Sequence, residues 1–247
     1  MKCVILAAGY ATRLYPITEK VAKPLLEIKG KTILDWLYAD LESQGKINEY
    51  IIVSNHKFFF DFLKWANDKE NVTVIDDGST NNENRVGAVK DILFAITTKR
   101  IDEDILVIAG DNVLDFSLNG LIENSDKTGT TTTLRYFEKD YNILRKSGVA
   151  IIDERGMIKE MYEKKESPSS HWIIPPFYVI RRVDLPLIRK AIEMGCATDA
   201  PGSLIAWMSS STPVFSILMS GKRYDIGDIE SYEYAKINYK GIVKGKI

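Results

Sequence analysis

Four short apolar runs, Cys3–Ala7, Tyr50–Ser54, Val72–Ile75 and Ile105–Ala109, punctuate the first half of the chain, and stretches of helical spacing separate them. Ile33, Leu34, Leu37, Tyr38 and Leu41 share one face of a helix that Gly45 is placed to stop. Phe58, Phe59, Phe62, Leu63 and Ala66 repeat that spacing, as do Val86, Val89, Ile92, Leu93 and Ile96. Ile105 to Ala109 has no polar interruption, which suits a strand covered on both faces. Alternation of this kind predicts β-α-β units, parallel neighbours and a doubly wound sheet. The aromatic run Phe58–Phe60 is expected in the core.

After Asp111 the texture changes. Thr130–Tyr136, Ser147–Asp153 and Met157–Tyr162 read as strands, the last two hinged at Glu154-Arg155-Gly156, and Trp172–Ile180 reads as one more. Helices are expected at about Leu185–Met194, Ser203–Met208 and Glu230–Asn238. No Gly/Ser linker, charge block or repeat interrupts the chain, so one domain over residues 1–247 is expected, with a first half to about 112 and a strand-rich second half over about 113–240.

A net charge of −1 over 247 residues offers no bulk attraction to nucleic acid or to an anionic membrane. No apolar run reaches the roughly eighteen residues of a spanning helix, so no membrane partner is expected. Two cysteines, Cys3 and Cys196, make neither a disulfide framework nor a four-ligand zinc site, and a cytoplasmic setting is the simple inference.

The first strand opens into Leu6-Ala7-Ala8-Gly9-Tyr10-Ala11-Thr12-Arg13-Leu14-Tyr15-Pro16, and Lys23-Pro24-Leu25-Leu26 follows ten residues after Arg13. A strand ending in small residues brings backbone N–H groups close to a phosphate, and two cations nearby suit a nucleoside triphosphate. The same small residues also serve a plain tight turn. Neither the P-loop ending nor the dinucleotide fingerprint is present.

The pattern Leu-Ala-Ala-Gly-x-x-Thr-Arg-Leu-x-Pro-x-Thr over Leu6 to Thr18, then Lys23 to Leu26, then Gly30 to Leu34, resembles the signature of the sugar-1-phosphate nucleotidyltransferases, also called nucleoside-diphosphate-sugar pyrophosphorylases. Weaker matches carry the resemblance to about Ala235. It implies a Rossmann-like, GT-A-like mixed sheet with a nucleotide-binding half and an acceptor-binding half.

The resemblance also implies roles. Leu6, Ala7, Ala8, Gly9 and Tyr10 would form the nucleotide loop, with Arg13 and Lys23 as catalytic cations. Gly110-Asp111-Asn112 matches the metal-binding aspartate motif, and Tyr224-Asp225-Ile226-Gly227 the second one, so Asp111 and Asp225 would share Mg²⁺ and Asn112 would meet substrate. By position alone, Asp111 is equally a strand-end ligand or a turn aspartate. Asp77, Gly78, Arg85 and Gly87 fall in the nucleobase and ribose region; Asp77-Gly78 also reads as a turn, and Arg85 reaches an anion or is solvated. Gly148, Glu163, Lys164 and Asp199 fall on the acceptor side, where Lys164 would hold the acceptor phosphate; the charged run Glu160–Glu166 also reads as a solvated loop. Lys165 stands where the family has proline, and Pro175-Pro176 and Cys196 depart from the hexose enzymes. His56 and His171 match nothing in the motif set and are expected to be structural or at the surface.

The implied reaction is Mg²⁺-dependent transfer of a nucleoside monophosphate from an NTP to a sugar 1-phosphate, with a homodimer as a candidate assembly. A cytidylyltransferase acting on a non-sugar phosphate such as phosphocholine is the nearest alternative. A catalytically inactive regulatory subunit that binds nucleotide sugar is the alternative of another class.

Overall fold

The computed structural model describes residues 1–243. Its chain begins β1 (Lys2–Leu6), β2 (Glu27–Ile28), β3 (Lys31–Thr32), α1 (Ile33–Glu42), β4 (Glu49–Ser54), α2 (Phe59–Ala66), β5 (Val72–Asp76), α3 (Ala88–Thr98), β6 (Ile105–Ala109) and β7 (Asn112–Leu114). It continues α4 (Asn119–Thr128), β8 (Thr131–Phe137), α5 (Tyr141–Leu144), β9 (Gly148–Ile152), β10 (Ile158–Glu163), β11 (Trp172–Ile173) and β12 (Phe177–Ile180). Then follow α6 (Leu185–Glu193), α7 (Gly202–Ser209), β13 (Val214–Leu218), β14 (Arg223–Asp225) and α8 (Ile229–Asn238). The fold is mixed α/β around a ten-stranded mixed sheet, as the resemblance implies, with parallel neighbours where strand–helix alternation predicts them. Two compact units divide the chain: Met1–Arg85, Ile108–Gly120 and the chain from Ser220 make the first, and Val86–Val107 with Leu121–Met219 the second.

In the first unit β1 pairs in parallel with β4, and β4 with β5. Cys3, Val4 and Ile5 are buried completely, as are Ile51, Ile52 and Val53 beside them, the burial expected of parallel strands covered on both faces. Helix α1 starts with a capping box: Thr32 Oγ1 accepts from the Asp35 amide at 3.0 Å, and Asp35 Oδ2 accepts from the Thr32 amide at 3.1 Å. It buries Ile33, Leu34, Leu37 and Leu41. Its buried Asp40 accepts from the Leu118 amide at 3.0 Å, which ties the helix to the segment after β7. That segment matters for the site, because β7 pairs antiparallel with β14, Asn112 opposite Asp225.

In the second unit β8 lies between β12, antiparallel, and β13, parallel, and β11 joins β8 to β9. The buried threonines at its start satisfy their hydroxyls: Thr131 donates to Asp184 at 2.6 Å and Thr133 to the Phe177 carbonyl at 3.1 Å.

Two expectations change, and one strand is added. Trp172–Ile180 is two strands, because Pro175 and Pro176 have no N–H to give a ladder. Phe60 is 73% exposed, while Phe58 and Phe62 are buried; α2 starts at Phe59 and turns Phe60 outward. Val214–Leu218 is a strand that no local pattern announced, held parallel to β8. Among the described residues no helix is long and apolar enough to cross a membrane.

Candidate active site

The first unit gathers Lys23, Asp111, Asp225 and Arg13. Strand β6 ends at Ala109, and the Gly110 amide donates to the Leu6 carbonyl at 3.0 Å, so Asp111 emerges beside the end of β1. The β7–β14 pairing brings in the second carboxylate, and the Ile226 amide donates to the Asp111 carbonyl at 3.0 Å. Lys23 starts a short 3-10 turn with Pro24 as its next residue. Its Nζ donates to Asp111 Oδ2 at 2.7 Å and to the Ile226 carbonyl at 2.9 Å. One ammonium thereby holds both acidic turns.

Crowding and charge set the two carboxyls apart. The Asp111 and Asp225 side chains keep 30% and 51% of their surface exposed, so the desolvation of each is one-sided. At Asp111 burial pushes upward, but the Lys23 ammonium and then Arg223 outweigh it and hold the carboxyl below its ordinary range. At Asp225 burial raises the carboxyl, Arg223 opposes, and the Asp111 charge raises it further. Arg13 is exposed on the 3-10 turn Thr12–Leu14, which Leu14 anchors in the core, and its positive charge also favours ionised Asp225.

Two neighbouring carboxylates, one of them raised by the other, suit a hard divalent cation. Magnesium takes one or two carboxylates and completes its shell with phosphate oxygens and water. Among the described residues no group of three or more His, Cys, Asp or Glu could hold a metal ion. A cation at Asp111 and Asp225 would therefore depend on substrate oxygens.

The loop from Leu6 to Arg13 divides into struts and open amides. Ala7 donates its amide to Val53 at 2.9 Å, the Ala8 carbonyl accepts from Asn55 Nδ2 at 3.0 Å, and buried Tyr10 donates its hydroxyl to the Ser79 carbonyl at 2.9 Å. Leu6 and Ala7 thus act through the sheet, and Tyr10 braces the loop with its hydroxyl already engaged. Among the described residues, none of the amides from Ala8 to Arg13 donates within the chain. Six consecutive amides of this kind, with Gly9 bordering open space, can receive an anion.

Asp77 takes the Ser79 amide and hydroxyl on Oδ1, each at 2.7 Å, while its buried Oδ2 has no partner. Burial raises this carboxyl, with Ser79 opposing and Asp76 adding to the rise. Gly78 turns through φ +80° with open space where a Cβ would stand. Arg85 Nη1 donates to Asn82 Oδ1 at 3.1 Å within an asparagine-rich loop. His56 pairs with Asp76 at 2.6 Å, and His171 stacks on Phe137, so both histidines have structural contacts.

In the second unit Gly87 has φ +99°, and a Cβ there would stand 2.8 Å from the Thr198 carbonyl oxygen. The same carbonyl accepts from the Val89 amide at 3.0 Å, next to exposed Asp199. Glu163 ends β10 with Gly148 and Gly202 against its carboxylate; a Cβ on Gly202 would lie 2.0 Å from Oε2, and one on Gly148 2.8 Å. Burial raises the Glu163 carboxyl, opposed by Lys164. Lys164 is exposed, in left-handed backbone at φ 53°, its amide on the Ser147 carbonyl at 3.0 Å. Lys165 lies over the Tyr162 ring at 3.8 Å, which directs its ammonium to that ring.

Two residues have roles that the motifs do not announce. Asn112, expected to meet substrate, is wholly buried, and its amide joins Asp111 to Arg223. Arg223 pairs with Asp225 at 3.4 Å; its one local signal was a cation two residues before an aspartate.

A family model described as nucleotidyl transferase matches residues 2–240. The chain belongs to that family. It is 26% identical to the UTP–glucose-1-phosphate uridylyltransferase AglF of Haloferax volcanii over 96% of this chain and 95% of the relative. It is 27% identical to the bifunctional protein GlmU of Methanococcus aeolicus, of which it spans 57%. Other relatives are also longer; the chain spans 61% of a UTP–glucose-1-phosphate uridylyltransferase of Synechocystis. Among solved structures, UDP-glucose pyrophosphorylase complexed with UDP-glucose shares the fold, with a TM-score of 0.79 at 19% identity over 96% of this chain and 97% of that one.

Proposed function

We propose that this nucleotidyltransferase joins a nucleoside triphosphate to a sugar 1-phosphate, releasing pyrophosphate, and that UTP with glucose 1-phosphate is its preferred pair. The carrying observation is the convergence of Lys23, Asp111 and Asp225 next to a loop of open amides. The two uridylyltransferase relatives support the choice of substrates.

An acceptor phosphate oxygen attacks the α-phosphorus in line, the bond from the α-phosphorus to its bridging oxygen breaks, and pyrophosphate carries away the electron pair. No covalent enzyme intermediate is needed, so the chain's contribution is positioning and charge. Amides of Ala8 to Arg13 receive phosphate oxygens, and Arg13 neutralises the departing pyrophosphate. Lys23 exchanges its carboxylate for the α-phosphate and the incoming acceptor phosphate. Asp77, Gly78, Arg85 and Gly87 serve the base and ribose. Lys164 anchors the acceptor phosphate, while Glu163, Gly148 and Asp199 meet the sugar. Asp111 and Asp225 would hold Mg²⁺, which would supply Lewis-acid stabilisation of phosphate charge. The setting we infer is cytoplasmic.

The test is pyrophosphate release over four NTPs and several phosphorylated acceptors, phosphocholine included. UTP with glucose 1-phosphate should give the highest kcat/KM, and Asp111→Asn should remove it. Tight UTP binding without release from any pair would instead make the chain an inactive nucleotide binder.

A further inference from the structure

We infer that Arg223 and Asn112 form a positioning pair that sets the Asp111 and Asp225 carboxylates for the divalent cation, an inference that rests on the metal reading above. Arg223 and Asp225 are two apart on β14 and so point to the same face, and Asn112 stands opposite Asp225 in the register. Arg223 Nη1 donates to Asn112 Oδ1 at 2.9 Å, and Asn112 Nδ2 donates to Asp111 Oδ1 at 2.6 Å. Arg223 Nη2 lies 3.4 Å from Asp225 Oδ2.

The chemistry of the donors gives this chain one direction. A guanidinium only donates and an ionised carboxylate only accepts, so the amide between them must turn Oδ1 to the arginine and Nδ2 to the aspartate. Asn112 is wholly buried and the Arg223 side chain is 14% exposed, so water competes little for these bonds. Asp111 Oδ1 is thereby fixed by Asn112, and Oδ2, the atom that meets Lys23, is the one presented to the site. The shorter of the two Arg223 contacts goes to the neutral amide from Nη1 and the longer to Asp225 from Nη2, two nitrogens at a fixed spacing in one planar fork, whereas an ammonium would have to reach both acceptors from a single nitrogen. A plain ion pair would need only the charge. This arrangement needs the fork and the amide as well.

Positioning and charge predict opposite signs. If Arg223 were only a cation near two carboxylates, removing it would tighten cation binding, and Arg223→Lys would change nothing. If it positions them, both Arg223→Met and Arg223→Lys loosen binding. The measurement is Mn²⁺ binding to the full chain by electron paramagnetic resonance with UTP present to supply phosphate oxygens, referenced to Mn²⁺ and UTP without protein, and without acceptor, so without turnover. Circular dichroism and Tm are followed alongside. Arg223→Lys and Asn112→Ala should each weaken Mn²⁺ binding about 10-fold or more, the usual effect of losing an outer partner of a metal ligand. The double variant should be no worse than the weaker single, since both break one chain of bonds. The Mg²⁺ needed for half-maximal pyrophosphate release should rise in parallel, with UTP affinity in EDTA unchanged. Should Asn112→Ala fail to fold, Arg223→Lys alone decides. Wild-type Mn²⁺ affinity in Arg223→Lys, or tighter binding in Arg223→Met, overturns the positioning role. Absence of Mn²⁺ binding by the wild type, or its persistence in Asp111→Asn, overturns the metal reading itself and this inference with it.

Discussion

Lys23 shows how much one side chain can organise: its ammonium reaches the Asp111 carboxylate and the Ile226 carbonyl, which belong to two separate acidic turns. Lys23→Ala should lower kcat/KM about 10²- to 10³-fold, the scale of losing one preorganised electrostatic donor. Lys23→Arg should restore only part, because a planar fork does not replace a compact ammonium. Steady-state kinetics check both; a variant with only a raised KM for UTP would reduce Lys23 to a binding role. Glu163 gives a pH prediction. Burial raises its folded carboxyl above the ordinary value of 4.5, with Lys164 opposing. The folded state therefore binds more protons than the unfolded one, and the stability linked to this group is present below 4.5 and lost as pH rises through the folded value. Glu163→Gln should raise Tm at pH 8 and leave it unchanged near pH 4. If Glu163 accepts a sugar hydroxyl, the same variant should raise acceptor KM about 10-fold or more, as for a bond to a charged group. Equal Tm gains at both pH values would remove the titration as the cause.

At the scale of elements, two glycines with positive φ separate strain from collision. Gly78 turns through φ +80° and would give a Cβ open space, while Gly87 adds a contact at 2.8 Å with the Thr198 carbonyl oxygen. Gly87→Ala should cost about 1–3 kcal/mol, the range for a strained backbone position, and Gly78→Ala clearly less, both read by urea unfolding. Equal costs would mean that the Thr198 contact relaxes freely. Sequence resemblance put Gly87 in the nucleotide pocket; its immediate physical duty is room for the turn that lets Thr198 accept from Val89. A bulky residue at Gly87 would disturb that turn first, so lost nucleotide binding in such a variant would have two causes.

For the molecule as a whole, ligand linkage is the sharpest prediction. UTP at about 100 times its Kd should stabilise the chain by about 2.7 kcal/mol if it binds only the folded state. Thermal unfolding with UTP, with and without Mg²⁺, measures this. Asp111→Asn should lose the Mg²⁺-dependent part and keep the rest. An identical Mg²⁺ effect in that variant would place the cation elsewhere.

Local chemistry in the sequence was enough for the alternating strands and helices. Period-2 and period-3.6 burial is written in consecutive residues, and β1, α1, β4, β5 and β6 fall close to where spacing put them. The loop after β1 was legible for the same reason, since small residues, a glycine and two cations lie within one short segment. The antiparallel pairing of β7 with β14 had no such local sign, because a register is a property of two segments distant in the chain. Motif resemblance could suggest that Asp111 and Asp225 act together. Only the tertiary structure turned Asn112 inward between Asp111 and Arg223, and set Glu163 against Gly148 and Gly202. Those contacts follow from which strand faces meet once the chain has closed on itself, and a side chain's own neighbours in sequence carry no record of that.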